Sequence, residues 1–189
     1  MDTTTMPTPK QTHIGSLIKR KVAQLFRKDD GATLIEFGLL AIPFFAIIGA
    51  TLETAFFLLA SQVLDGGVDE AARMIRTGRT QGSNYTVTSF RNEVCNHLYG
   101  LFDCSQLRIY VQPVASFSSA SFNSNVVDPD DASWTSAESF NDGAGSSVIL
   151  VRVYYKWPTY LNFFNFDLAT LPDNTHLIGA ARVFQNEPF

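Results

Sequence analysis

The chain has 189 residues, of which 46% are hydrophobic and 13% aromatic, so it has enough apolar material for one ordinary core and is not an intrinsically disordered chain. The formal net charge of -4 is unevenly distributed, because residues 1–31 are basic and the remainder is acidic. This asymmetry argues for a segment that flanks a membrane and against a nucleic-acid-binding face.

The longest apolar run covers residues 34–64, and within it Glu36 and Glu53 are the only ionisable side chains. A membrane span takes about 20 residues at about 1.5 Å each. A helix that enters the bilayer near Ala32 therefore places Glu53 at the far interface and Glu36 at the entry side. The opposite register, with Glu53 at mid-bilayer, would cost about 2.5 to 3.5 kcal/mol. We predict a transmembrane helix with its extension at residues 32–64.

The charges on either side of this helix predict its orientation. Five basic residues lie shortly before it, namely Lys19, Arg20, Lys21, Arg27 and Lys28, whereas the arginines that follow it come only after three acidic residues. The positive-inside rule then places residues 1–31 in the cytoplasm as a leader and residues 65–189 outside as an exported domain. A cleaved secretory signal fits less well, because the apolar run exceeds the roughly 7 to 15 residues of a signal-peptide core.

Beyond the span, the periodicity predicts an α+β fold. The long helix continues to a cap at Gly78, with a kink at Pro43 and a soft joint at Gly66-Gly67, and a short amphipathic helix follows at 89–101. Alternating apolar residues then predict an antiparallel sheet of about three strands, each buried on one face, packed on the long helix. The strands are predicted at Leu107–Gln112 (ended by Pro113), at Ile149–Trp157 and near Leu177–Asn186.

The two cysteines of the chain, Cys95 and Cys104, lie in the part that this orientation places in an oxidising compartment. We therefore predict a disulfide between them. Two unpaired buried thiols are the alternative. With no further cysteine, a metal site at this pair is not expected, and we predict no cofactor.

Two segments of the predicted exported domain leave alternatives open. Residues 115–147 form a long connection without Lys or Arg, in which Asp128-Pro129-Asp130-Asp131 could bind calcium but fits a solvated loop better, because it lacks an EF-hand pattern. Residues 160–171 are strongly aromatic and could form a core helix or a patch for contact with a subunit or a membrane surface.

Catalytic chemistry has little support in the sequence. The three histidines, His13, His97 and His176, lie in the N-terminal tail, on the polar side of a predicted helix and in a predicted turn. None of them has a nucleophile motif beside it. We therefore expect a structural protein and not an enzyme.

The segment Gly31-Ala32-Thr33-Leu34-Ile35-Glu36-Phe37 resembles the class III signal of type IV pilins and pseudopilins. In that family a membrane aspartyl peptidase cuts after the glycine and leaves a glutamate as the fifth residue of the mature chain. The resemblance implies cleavage between Gly31 and Ala32, with Glu36 and Phe37 as assembly residues. Phe37 resembles the aromatic residue of the Glu-Phe/Tyr pair in the tight-adherence branch.

The similarity extends to the TadE-like minor pseudopilins. It rests on Glu53, the 71–78 segment, the two cysteines with Phe102-Asp103, and the C-terminal 184–189 segment. It implies a single-pass protein of the bacterial inner membrane with a periplasmic C-terminal domain, which acts in assembly of a Flp-type (tight adherence) pilus. The implied partners are the prepilin peptidase, other pseudopilins or pilins, the inner-membrane assembly platform and the lipid bilayer.

Physical chemistry suggests why a glutamate stands at position 36. Cleavage would leave an ammonium on Ala32, and the Glu36 carboxylate of a neighbouring helix could neutralise it in a medium of low dielectric constant. In a simpler interpretation Glu36 reaches the cytoplasmic interface or is protonated there. A different class of function is a signal-anchored periplasmic sensor or ligand-binding module, which would keep its leader.

Overall fold

The computed structural model describes residues 29–82, 84–122, 125–160 and 169–189. They fall into two units, one that ends at Ile48 and one from Gly49 to Phe189. The elements are helices α1 (Asp29–Arg76) and α2 (Val87–Asn96) and strands β1 (Arg108–Val114), β2 (Ser139–Phe140), β3 (Val148–Pro158) and β4 (Thr175–Gln185). The fold is α+β, as predicted.

In the second unit, α1 packs one face against the sheet and α2. Its fully or almost fully buried side chains recur three or four positions apart, at Ala60, Leu64, Val68, Ala71, Ala72 and Ile75. The helix is continuous through Gly66 and Gly67. A Cβ atom on Gly67 would lie 3.0 Å from Leu98 Cδ2 and 3.3 Å from the carbonyl oxygen of Val94. Gly67 therefore lets the two helices approach closely.

Helix α1 ends in a Schellman motif built on Gly78, which confirms the predicted cap. Gly78 has φ +71°, and its amide donates to the carbonyl of Ile75 at 3.0 Å. The amide of Arg79 donates to the carbonyl of Met74, also at 3.0 Å. These two bonds satisfy carbonyl groups that the end of a helix leaves without partners.

Helix α2 is shorter than predicted and lies slightly earlier in the chain. Thr86 caps its N-terminus, because its hydroxyl oxygen accepts a hydrogen bond from the amide of Ser89 at 3.3 Å. The predicted last turn is absent because Tyr99 and Gly100 have φ values of 52° and 75°, in the left-handed region. The helix therefore ends at Asn96.

The sheet has four strands in the order β2-β1-β3-β4, one more than predicted. The extra strand, β2, pairs parallel with β1 over two residues only, at Tyr110 and Val111. The three predicted strands are present and pair antiparallel. β2 lies inside the segment that was predicted as a loop, because two residues are too few to show an alternating pattern.

Strand β1 continues through Pro113, where the sequence predicted its end. Pro113 is opposite Ile149 of β3. Since β2 pairs with β1 only at Tyr110 and Val111, no described strand pairs with Pro113 on that side, and a residue without an amide hydrogen is tolerated there.

The sheet is covered on both faces, which contradicts the prediction of strands buried on one face. The main core lies between the helices and one face of the sheet, and includes Ile109, Val153 and Ile178. On the opposite face a second cluster covers the sheet, formed by Tyr110, Val126, Val127, Ala132 and Tyr154. Tyr154 is fully buried because the chain after β1 folds back over it.

Cys95 and Cys104 form a disulfide, as predicted, with their Cα atoms 6.1 Å apart. Cys95 lies in the last turn of α2, and Cys104 begins a short 3₁₀ turn before β1. The bond therefore ties the end of α2 to the start of the sheet.

Replacing both cysteines with alanine should destabilise the second unit by about 2.5 to 3 kcal/mol, because the unfolded chain regains the freedom of the closed loop. Trp134 and Trp157 both lie in this unit, so urea unfolding of the full chain in detergent can be followed by tryptophan fluorescence. Reduction of the native protein should give the same loss of stability. Equal stability of the oxidised, reduced and substituted proteins would contradict the prediction.

A salt bridge network joins α1 to β4. The Arg182 guanidinium donates to both carboxylate oxygens of Asp65 at 2.7 Å and to Asp69 Oδ1 at 2.8 Å. The hydrogen bond from Arg182 holds the pKa of Asp65 below its ordinary value of 3.8, and the two acidic partners raise the pKa of Arg182. The last strand is thereby attached to the helix.

The variant Asp65→Asn should lower stability by about 1 kcal/mol at neutral pH, because it weakens a bidentate ion pair that is partly exposed. Since the folded-state pKa is below the unfolded one, this contribution is present above about pH 4 and is lost as the pH falls through the folded-state value. Urea unfolding at several pH values should show the difference between the two proteins shrinking as the pH falls below about 4. Asp130→Asn, at an exposed carboxylate, is the matched control and should change stability little at any pH.

Candidate assembly surface

The residues predicted for processing and assembly all lie in α1, which begins at Asp29. Gly31 and Ala32 have helical backbone and so fall in its first turns. Glu36 and Phe37 follow on the same helix, and both side chains are exposed, Phe37 to 68%. The bond between Gly31 and Ala32 and the Glu36 carboxylate are thus one to two helical turns apart.

The described part of the first unit exposes apolar side chains on every side of the helix. Its large exposed residues are Leu34, Ile35, Phe37, Leu39, Leu40, Ile42, Phe44, Phe45, Ile47 and Ile48. A helix that is apolar all round is buried in a membrane or among other helices in its working state. The segment is long and apolar enough to cross a membrane, and it fits a membrane anchor near the N-terminus.

Glu36 interrupts this apolar surface with a carboxylate. Among the described side chains from residue 33 onwards, none forms an ion pair or hydrogen bond with it. A carboxylate in an apolar environment needs a cation or hydrogen-bond donors. A donor for Glu36 in the membrane would therefore have to come from another molecule or from the chain before residue 33.

Glu53, the second acidic residue of the apolar run, has a different environment. It lies 21 positions after Ala32, which is about 32 Å along a helix. Its Oε1 accepts a hydrogen bond of 2.6 Å from the amide of Tyr160, two residues after the end of β3. Glu53 thus holds the start of the connection between β3 and β4.

The acidic cluster in the predicted loop folds into a turn that its own side chains stabilise. Asp128 Oδ1 accepts from the amide of Asp130, and Asp131 Oδ1 accepts from the amide of Ser133, both at 2.8 Å. In the described residues, no group of three or more His, Cys, Asp or Glu side chains is placed to hold a metal ion. The solvated-loop interpretation of this cluster fits these contacts.

The described histidines have local partners. His97 Nε2 lies 3.5 Å from Glu93 Oε1 on α2, and the His176 ring packs edge-on against Phe57 with 4.4 Å between the ring centroids. His13 lies outside the described residues. The structure does not bring His97 and His176 together in one cluster.

Most of the aromatic segment predicted at 160–171 lies outside the described residues, which omit 161–168. At its ends, Tyr160 is 81% exposed and Leu171 packs against the second core cluster. The choice between core packing and a contact patch stays open for the residues between them.

Sequence reasoning missed the long-range polar contacts that hold the second unit together. Besides Arg182, these include the Arg91–Glu138 ion pair at 2.5 Å and the buried Asn186 side chain, whose amide donates to the carbonyls of Asp142 and Ala144. Asn186 lies in the 184–189 segment that resembles the family, but the resemblance implies no role for it. No local pattern connects Arg91 with Glu138, 47 positions away.

The comparison with protein families finds one match, to the family of the TadE-like protein, over residues 31–73. This confirms the resemblance inferred from the sequence for that segment. The match begins at Gly31 and takes in Glu36, Glu53 and most of the helical extension into the second unit. No curated protein and no solved structure matches the chain. The TadE-like domain supports an association with a tight-adherence (Flp-type) pilus.

Proposed function

We propose that this chain, which carries a TadE-like domain at residues 31–73, is a minor pseudopilin that acts in the assembly of a Flp-type pilus. One observation carries the proposal: the family match begins on the part of α1 whose large apolar side chains, up to Ile48, are exposed on all sides, with Glu36 as the one charged side chain among them. Such a helix needs lipid before assembly and neighbouring helices after it.

In this proposal the chain is inserted with its N-terminus in the cytoplasm, and the prepilin peptidase cuts between Gly31 and Ala32. The new ammonium on Ala32 pairs with Glu36 of an adjacent pseudopilin or pilin helix, so neither charge stays unpaired in the membrane. The inner-membrane platform then moves the subunit out of the bilayer. The protein is a structural subunit and has no catalytic role.

The size of the second unit favours the role of a minor subunit over that of a major pilin. A major Flp-type pilin is little more than a helix, whereas this chain adds a sheet and a second helix after residue 49. A subunit of this size fits the start or the base of a fibre, where few copies are needed, better than the repeating fibre wall.

The sharpest test is the N-terminus of the protein purified from membranes of the native host. Edman sequencing or intact mass should identify Ala32 as the first residue. A strain without prepilin peptidase should give the whole chain of 20.9 kDa. An intact N-terminus in the wild-type strain would contradict the pseudopilin proposal and support the alternative of a signal-anchored sensor or binding module.

A further inference from the structure

Strand β4 lies at one edge of the four described strands. All eleven of its residues pair one for one with β3, from Val148 opposite Gln185 to Pro158 opposite Thr175, so the strand has no bulge. In the part of the chain that the structure describes, neither a strand nor an isolated bridge lies on its other side. It is about 37 Å long.

Natural proteins usually block such an edge with proline, lysine, a bulge or a covering segment, because its free amide and carbonyl groups accept another strand. Strand β4 contains neither proline nor lysine. Its one arginine, Arg182, is held by Asp65 and Asp69 of α1 and also donates to the carbonyl of Ala181. At the start of the strand, the amides of Thr170 and Leu171 donate to the carbonyl of Thr175. The outward amide and carbonyl groups of Leu177, Gly179 and Val183 have no partner among the described residues, so these positions have the properties of a site for strand addition.

A cationic cleft lies beside this edge, between α1 and β4. Its volume is about 160 Å³, and its lining consists of Asp69, Ala72, Arg73, Arg76, Arg182, Val183 and Phe184. Arg73 and Arg76 are exposed. Among the described residues, neither guanidinium has an ion-pair or hydrogen-bond partner, whereas Arg182 is already neutralised. The cleft therefore has two guanidinium groups available for a ligand, and the five charged groups, Asp65 and Asp69 with Arg73, Arg76 and Arg182, sum to one positive charge.

Side chains alternate between the two faces of β4, and those on one face lie toward α1 and the cleft. Ile178 and Ala180 point into the core beneath α1, and Arg182, of the same parity, reaches Asp65 of that helix. A strand added beside β4 would present every second side chain to this same face. Opposite the end of β4, such a side chain would lie over Arg73 and Arg76.

We propose that the β4 edge and the Arg73/Arg76 cleft together bind an extended segment of another polypeptide that carries acidic residues at alternate positions. Main-chain hydrogen bonds to β4 supply the docking, and the two arginines select the carboxylates by charge complementarity. The site lies in the second unit, on the part of α1 that follows the exposed apolar segment, and it stands whether or not the leader is cleaved.

A second copy of this chain fits the site less well than a different protein. The acidic cluster Asp128–Asp131 forms a turn and is not extended, although Asp128 and Asp130 have no salt bridge to a described side chain. Anionic lipid is also a poor occupant. Arg73 is twenty residues beyond Glu53 on α1, about 30 Å from the membrane interface predicted at Glu53.

The test uses the full chain in lipid nanodiscs and a short fluorescent peptide in which valine and glutamate alternate. We expect the peptide to bind, as measured by fluorescence anisotropy, and to slow hydrogen exchange in β4. The double variant Arg73→Glu/Arg76→Glu should weaken binding by about tenfold or more. Arg79→Glu, the same charge reversal at a single exposed arginine outside the cleft, should leave the affinity within about twofold.

Two further peptides separate strand addition from charge attraction alone. A version with lysine in place of glutamate should bind about tenfold more weakly or worse, and a version N-methylated at alternate amides should lose binding. The proposal is overturned by absence of binding at millimolar acidic peptide, by equal binding of the N-methylated peptide, or by an equal effect of Arg79→Glu. Self-association of the chain that Arg73→Glu/Arg76→Glu abolishes would instead assign the edge to a second copy.

Discussion

Replacing Glu36 with glutamine is expected to remove this chain from assembled pilus complexes while leaving its insertion in the membrane unchanged. The amide cannot neutralise the ammonium of Ala32 on a neighbouring helix, and removing one partner of a buried ion pair costs about 3 to 5 kcal/mol. At equal expression, recovery in complexes should fall by about a hundredfold or more. The measurement is co-purification with the other pilus subunits, against the amount of chain in the membrane fraction.

The matched control for this variant is Glu53→Gln, the same change on the same helix. The amide oxygen of glutamine can still accept the hydrogen bond from the Tyr160 amide, so assembly should be close to wild type. Glu36→Asp keeps the charge and should be recovered in assembled complexes in part. Normal recovery of Glu36→Gln in complexes would count against the pairing of Ala32 with Glu36.

Replacing Gly31 with leucine is expected to leave the whole chain uncleaved. In the class III signal that this segment resembles, the residue before the scissile bond is glycine, and a branched side chain there should not fit the peptidase site. Intact mass should then give a chain that retains residues 1–31, and the amount in assembled complexes should fall with it. Loss of processing should be essentially complete.

Gly38→Leu provides the control for Gly31→Leu, because it introduces the same side chain seven positions along the same helix. A Cβ atom on Gly38 would have no neighbour within 4 Å, so the substitution should be tolerated and processing should be normal. Cleavage of Gly31→Leu at the wild-type rate would show that the scissile bond lies elsewhere. A loss of cleavage in both variants would point to a general effect on the helix.

The two variants test two successive steps of the proposed function, processing and then assembly. Gly31→Leu acts on processing, so the mature N-terminus is never formed, whereas Glu36→Gln should be processed normally and fail afterwards. A chain that serves as a sensor or binding module would be insensitive to both changes. The docking site proposed at β4 should be intact in both variants, because its residues lie in the second unit.

Much of the architecture could be predicted because the relevant patterns are local. The apolar run that predicts α1, the cap at Gly78 and the alternation along β3 each arise within a few neighbouring residues. The disulfide followed from there being only two cysteines and from the predicted compartment. The residues predicted for processing and assembly were identified in the same way, since Gly31, Ala32, Glu36 and Phe37 form one continuous motif.

The features that were missed depend on residues far apart in the chain. Strand β2 consists of two residues that pair with β1. Tyr154 is buried because a loop from another part of the chain covers it. Arg182 meets Asp65 across 117 positions. A pattern read over a short window has no access to such pairs.

The sequence by itself therefore determined the membrane-type helix, its resemblance to the TadE-like family, the α+β class and the cysteine pair. Each depends on hydrophobicity, spacing or a short motif, which are properties of neighbouring residues. Only the tertiary structure decided which edge of the sheet is open and what lies beside it. Arg73 and Arg76 form a cleft with β4 because the end of α1 packs next to the last strand, more than a hundred residues later in the chain.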